Sequence, residues 1–157
     1  MEKRTEEWWD RFFLGMAKYV ATASKDPSTQ VGSIIVQPDT NLIVGLGYNG
    51  FPRGVKDLPE RYENRKLKYS LVVHSEVNAI IMAGEKAKGS RLYVWPSFVL
   101  PPTCSECAKL VVQSGIKEVV GYEPDLSDER VQRWADSIKV AQQMYEEAGV
   151  TWRGIKE

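Results

Sequence analysis

"VGSIIVQPDTNLIVGLGYNG", residues 31–50, holds two β-rich runs, 31–37 and 41–48, on either side of Pro38, Asp39 and Thr40. Short runs rich in Val and Ile, joined by a turn signal, predict an antiparallel hairpin. The second run leads into "GLGYNG", residues 45–50, which matches the G-x-G-x-x-G spacing of dinucleotide-binding folds. That spacing holds a pyrophosphate only where it opens a helix. Here Phe51, Pro52, Arg53 and Gly54 follow, a turn signal with no helical periodicity behind it. The hairpin reading stands and the dinucleotide reading fails.

Upstream of the hairpin, Trp9, Phe12, Phe13, Met16, Val20 and Ala23 recur at a 3–4 spacing, which predicts an amphipathic helix over 6–23. "SKDPSTQ" breaks it at Pro27. Downstream, residues 49–68 are polar, charged and rich in Gly and Pro, with no core pattern. They read as a long functional loop. A helix from about Ser75, a strand "RLYVW", a helix from about Ser105 and a strand "KEVVGY" come next. Ser127 reads as the N-cap of a last long helix, with Val131, Trp134, Ile138, Ala141, Tyr145 and Ala148 on one face. Gly149 ends it and "VTW" is a closing strand. Helix, hairpin, then alternating helices and strands predict one mixed sheet between helices, with residues 1–157 forming a single domain.

The 157 residues include 21 basic and 21 acidic side chains. That balance argues against a domain built to grip a polynucleotide, and leaves room for a small anionic ligand. No stretch approaches the apolar length of a membrane helix, the start "MEKRTEEWWD" is unlike a signal peptide, and two cysteines three apart are no disulfide framework. The expectation is a soluble intracellular protein.

His74 is the only histidine, and Cys104 and Cys107 are the only cysteines. An isolated histidine is more often a satisfied core residue, and a lone pair of cysteines more often small core residues or a redox pair. Here all three stand at the starts of two neighbouring predicted helices. Cys104 and Cys107, at i and i+3, face the same way, and the positive helix end favours their thiolates. With His74 they make three ligands suited to zinc, one short of a closed tetrahedron, which leaves an open position for water. Zinc lowers the pKa of such a water to about 7. Glu76, two residues beyond His74, can reach that water without being a ligand and can carry its proton. The pattern H-x-E with C-x-x-C is the signature of zinc nucleobase deaminases.

Beyond the metal site, "SKDPSTQVGSIIV", "IVGLGYNGFPRG", "HSEVNAI", "CSECAKLVVQSGIKEVV" and "AGVTWR" span most of the chain from about Trp9 to Arg153. In their order and spacing the sequence resembles the deoxycytidylate (dCMP) deaminases of the cytidine deaminase superfamily, a viral or phage-type member being one expectation. The resemblance implies a three-layer α/β/α sandwich around a five-stranded mixed sheet. It implies zinc-dependent hydrolysis of dCMP to dUMP and ammonia, supplying dUMP for thymidylate synthesis, in the cytoplasm (that of the host for a viral member). His74, Cys104 and Cys107 would hold zinc and Glu76 would shuttle protons, while Asn49 would contact the nucleotide. The family pattern has Ala where this chain has Ser75, whose hydroxyl would add a polar group near the base. It has Pro where this chain has Thr103, with Pro101 and Pro102 displaced upstream, so the approach to Cys104 is expected to be less rigid. Tyr122 is the nearest counterpart of a tyrosine that packs near substrate in some members.

Ser24 and Lys25, at the mouth of the hairpin, are candidates for the substrate phosphate, and Phe51, Arg53 and Arg65 for an effector site. Family control by dCTP and dTTP, with magnesium accompanying the triphosphates, would use that loop. Trp8, Trp9 and Phe51 read as exposed aromatics, and with the family's frequent hexamers they predict a homo-oligomer. Alternatives are deamination of cytidine, dCTP or single-stranded nucleic acid, and a zinc-stabilised interaction module without activity. Against the module stand the missing fourth ligand and Glu76.

Overall fold

The computed structural model describes residues 2–157. The hairpin forms as β1 (Gly32–Gln37) and β2 (Leu42–Tyr48), antiparallel with a bulge between Ile35 and Val36. Strand β3 (Arg91–Trp95) pairs antiparallel with β1, and β4 (Glu118–Tyr122) and β5 (Thr151–Ile155) follow in parallel, giving the order β2-β1-β3-β4-β5. Between the parallel strands run α5 (Ser105–Gln113), then α6 (Glu129–Arg133) and α7 (Ala135–Ala148).

One face of the sheet is covered by α1 (Glu6–Ala21), whose Phe13, Leu14 and Ala17 pack on Ile34, Val36, Tyr93 and Val120. The other face carries α4 (Ser75–Ala83), α5 and α7, with Ala79, Val111 and Tyr145 among the residues around Ile35, Leu92 and Val119. Alternation along β1 sends Ile34 and Val36 to one layer and Ile35 to the other. The three-layer α/β/α sandwich around a five-stranded mixed sheet is therefore the observed fold.

The first two glycines of "GLGYNG" have a packing role. A β-carbon on Gly45 would strike the Ala79 carbonyl oxygen. One on Gly47 would strike the Ser75 carbonyl oxygen and come within 2.5 Å of the Ala79 nitrogen. Helix α4 lies directly on the backbone of β2, and only glycine admits that approach.

On the α1 face, the buried Asp10 carboxylate accepts hydrogen bonds from Tyr93 Oη at 2.8 Å and from the Arg153 guanidinium at 2.6 and 3.0 Å. Glu118 pairs with both Arg91 and Arg153. This network ties α1 to β3, β4 and β5.

Three expectations change. The 49–68 segment is not a plain loop: it forms α2 (Pro59–Glu63), and α3 (Arg65–Leu71) follows. Pro59 sits at the start of α2, and the Asn64 side chain caps α3 by accepting from the Leu67 amide at 3.1 Å. Neither helix has a buried residue, so neither carries a core pattern to read. The last helix is two, since Asp128 and not Ser127 caps α6 and the backbone breaks at Trp134. Ser127 instead folds back on Asp125, its hydroxyl donating at 2.7 Å. Finally, Trp8, Trp9 and Phe51 are half-buried. Trp8 stacks on Phe12 and Phe51 stacks on Tyr62 at 4.3 Å. Exposed apolar residues include instead Ile81 (71%) and Met82 (62%) on α4 and Leu42, Leu46 and Tyr48 along the edge strand β2.

Candidate metal and active site

Two helix starts meet on the α4–α5 face. His74 is the N-cap residue of α4 and Cys104 that of α5, each in extended conformation. His74 Nδ1 lies 3.2 Å from Cys107 Sγ and 3.4 Å from Cys104 Sγ, and the three ligand atoms all lie within 4.8 Å of one another. In a tetrahedral zinc site, nitrogen and sulfur ligands stand about 3.5 Å apart and two sulfurs about 3.8 Å. The trio fits zinc in both atom type and spacing.

The electrostatics point the same way. The hydrogen bond to Cys104 pushes the His74 pKa up to about 9, against the effect of burial. The Cys104 thiol is drawn down to about 4 by its contacts with Cys107 and His74, and the Cys107 thiol is pushed up by Cys104 and by burial. Neighbouring donors thus favour the thiolate form at Cys104, the form that binds a metal.

Glu76 is outside the trio but lines the same cleft. It is buried, and burial raises its pKa. Ser75 Oγ donates to Glu76 Oε2 at 3.1 Å and contacts Ser33 Oγ of β1 at 2.7 Å. A serine at position 75 is therefore tied into the sheet while its hydroxyl orients the carboxylate. Thr103 is not loosely held, contrary to expectation. Its amide donates to the Pro101 carbonyl at 2.8 Å, and its hydroxyl lies 2.6 Å from Tyr145 Oη.

The cleft above these groups encloses about 410 Å3. Of the predicted residues, Asn49, Arg65, His74, Ser75, Glu76 and Cys104 line it. The Asn49 side chain also holds the cleft wall, accepting from the Val31 amide at 2.8 Å and donating to the Thr29 carbonyl at 2.9 Å. Ser24, Lys25, Tyr122, Phe51 and Arg53 are not in its lining. Ser24 is buried under Asn49, donating to its carbonyl at 2.8 Å, and Lys25 pairs with Asp57 at the surface. Tyr122 borders a separate recess beside Glu123 and Asp125. Arg53 is exposed.

The cleft wall also contains residues that sequence reasoning missed. Lys68 on α3 pairs with the buried Asp26 at 2.8 Å and donates to Ser28 Oγ at 2.6 Å. Tyr62, Tyr69, Phe98, Arg130, Arg133 and Trp134 complete the mouth. Arg130 lies over the Phe98 ring at 4.2 Å and pairs with Asp128. Among the described residues, Arg133 forms no ion pair. The available signal was the capping residue Asn64 alone, since the leucines that follow it, Leu67 and Leu71, are not buried.

A His–Cys–Cys trio at two helix starts, with a buried glutamate two residues from the histidine, defines the zinc-dependent nucleobase deaminase class. Comparison makes the family specific. The model of the cytidine and deoxycytidylate deaminase zinc-binding region matches residues 7–123, and the chain belongs to that family. Human deoxycytidylate deaminase is 42% identical over 151 residues, covering 92% of this chain and 78% of that protein. An uncharacterised deaminase from the luxG 3′ region of Aliivibrio fischeri is 39% identical over 148 residues, covering 92% of each. Among solved structures, dCMP deaminase from the cyanophage S-TIM5 in complex with dCMP and dUMP superposes with a TM-score of 0.69. It shares 24% identity and covers 98% of this chain and all of that one, and so speaks to the fold.

Proposed function

We propose that this chain hydrolyses dCMP to dUMP and ammonia, with His74, Cys104 and Cys107 holding zinc and Glu76 moving the protons. The observation that carries the reading is the buried Glu76 carboxylate beside the metal-binding trio on the floor of a cleft rimmed by cations. Zinc supplies the Lewis acidity that makes water a nucleophile near neutral pH. Glu76 takes the proton of the attacking water as the C4–O bond forms and delivers it to the ring nitrogen. It then takes the proton of the new C4 hydroxyl and passes it to the amine, so that C4=O forms as the C4–N bond breaks and ammonia leaves. A pKa raised by burial suits a carboxylate that must both accept and release a proton.

The cleft lining holds Arg65, Lys68, Arg130 and Arg133 against the carboxylates of Asp26 and Glu76. Asp26 neutralises Lys68 and Asp128 neutralises Arg130, which leaves Arg133 and the Tyr69-bound Arg65 free to meet a 5′-phosphate. The relatives named for deoxycytidylate deamination support a nucleotide over a nucleoside. Arg53, exposed on the turn after Asn49, would pair with the phosphates of an effector triphosphate, with magnesium accompanying the ligand. The exposed Ile81, Met82 and edge-strand residues support assembly of several copies, a hexamer by the family resemblance.

The test is turnover of dCMP, followed as loss of cytosine absorbance, by the zinc-loaded protein and by Glu76→Gln. The expected result is one zinc per chain in both, with turnover lost in the variant. Loss of zinc from Glu76→Gln makes the carboxylate a ligand instead, and an inactive zinc-loaded wild type refutes the activity.

A further inference from the structure

Cys104 is the metal-binding residue with the least secondary structure before it, since it follows a stretch of loop from Pro96 and only begins α5. Both of its chain neighbours are held by one helix. On its N-terminal side, the buried Thr103 hydroxyl lies 2.6 Å from the buried Tyr145 hydroxyl. On its C-terminal side, the Ser105 amide, a helix-start N–H with no partner within α5, donates to Ser137 Oγ at 2.8 Å. The two serine hydroxyls are 3.0 Å apart. Ser137 and Tyr145 lie eight residues apart on α7, about 12 Å along the helix axis. A rigid rod therefore grips the chain at positions 103 and 105, one on each side of the cysteine.

We infer that Ser137 and Tyr145 are positioning residues for zinc: α7 fixes the backbone of Cys104 so that its thiolate is presented to His74 and Cys107 at metal-binding distance. Three ligand atoms must sit within about 0.2 Å of their metal-bound positions. A residue at the end of a loop has free backbone torsions unless its neighbours are pinned. Residues that orient ligands from behind in this way typically govern metal affinity about 10–100-fold. The inference rests on the zinc reading of the trio.

The test measures zinc affinity by chelator competition and thermal midpoints of the zinc-free and zinc-loaded forms, for wild type, Tyr145→Phe, Ser137→Ala and Tyr145→Phe with Thr103→Val. The double variant replaces a buried polar pair by apolar groups of the same shape, so its fold is expected to survive. The expected result is zinc binding weakened about 10-fold or more in each, with the zinc-free midpoint of the double variant and of Ser137→Ala close to wild type. A purely structural role predicts the reverse, lower midpoints in both forms with zinc affinity within twofold of wild type, and that overturns the inference. Should Tyr145→Phe fail to fold, the half-buried Ser137→Ala decides alone: unchanged affinity sinks the proposal. Failure of the wild type to bind one zinc per chain refutes the metal site itself and is seen before any variant is compared.

Discussion

Replacing Gly47 by alanine would place a methyl group against the Ser75 carbonyl oxygen, 2.5 Å from the Ala79 nitrogen and 2.8 Å from Asn78 Cβ. Ordinary contacts of carbon need about 3.5 Å, so α4 has to retreat from β2 by about 1 Å. Overpacking of this kind costs about 2 kcal/mol, or a fall of roughly 6 °C in thermal midpoint for a chain of this size. The larger effect falls on the site. His74 is the residue that starts α4, and the trio has no slack for a displacement of that size. We expect weaker zinc binding in chelator competition and dCMP turnover reduced about 100-fold. Gly45→Ala strikes α4 a turn further on, at the Ala79 carbonyl and Ala83, so it should cost similar stability and less activity. Gly50→Ala, with no atom within 4 Å of the new methyl and no positive φ, is the control. A Gly47→Ala protein with wild-type zinc affinity and midpoint would show that α4 does not depend on this close approach, and the packing account of "GLGYNG" would fall.

Three further outcomes are expected. Lys68→Met leaves the Asp26 carboxylate buried without its cation and should cost about 3 kcal/mol at pH 7. Burial of Asp26 acts to raise its pKa, but the hydrogen bonds from Lys68, Ser28 and Thr29 outweigh it and hold the group below the usual carboxylate value. Its stabilisation is therefore complete above about pH 4 and lost as pH falls through the depressed value. The midpoint gap between wild type and Asp26→Asn should close in acid, and a gap independent of pH counts against the pair. Arg133→Gln should weaken binding of dUMP about 10-fold or more while leaving deoxyuridine unaffected, measured by calorimetry. An equal loss for both ligands removes Arg133 from phosphate recognition.

The His–Cys–Cys trio was legible in the sequence because it uses rare residues at short spacing. His74, Cys104 and Cys107 exhaust the imidazole and thiol groups of the chain, and helix starts place them. The hairpin and the strand–helix alternation were legible because each element buries a periodic apolar face. The cleft wall was not. α2 and α3 bury nothing, so their helicity depends on Pro59 and the Asn64 cap and leaves no hydrophobic period. The Lys68–Asp26 contact joins residues 42 apart, which no local pattern encodes. At Trp134 a continuous stripe from Val131 to Ala148 conceals a break that brings Arg130 and Arg133 to the cleft mouth.

The Asp10–Arg153 pair has a kinetic consequence. It joins residues 143 apart, so closing it carries nearly the largest loop entropy this chain can pay. The hairpin and the α5 crossover close over far shorter separations and come first. The expected order places the Asp10–Arg153 bond after the main barrier, which the folding and unfolding rates of a variant test. Asp10→Asn should accelerate unfolding and leave the refolding rate nearly unchanged, which makes the buried carboxylate a determinant of how long the folded enzyme lasts rather than how quickly it forms.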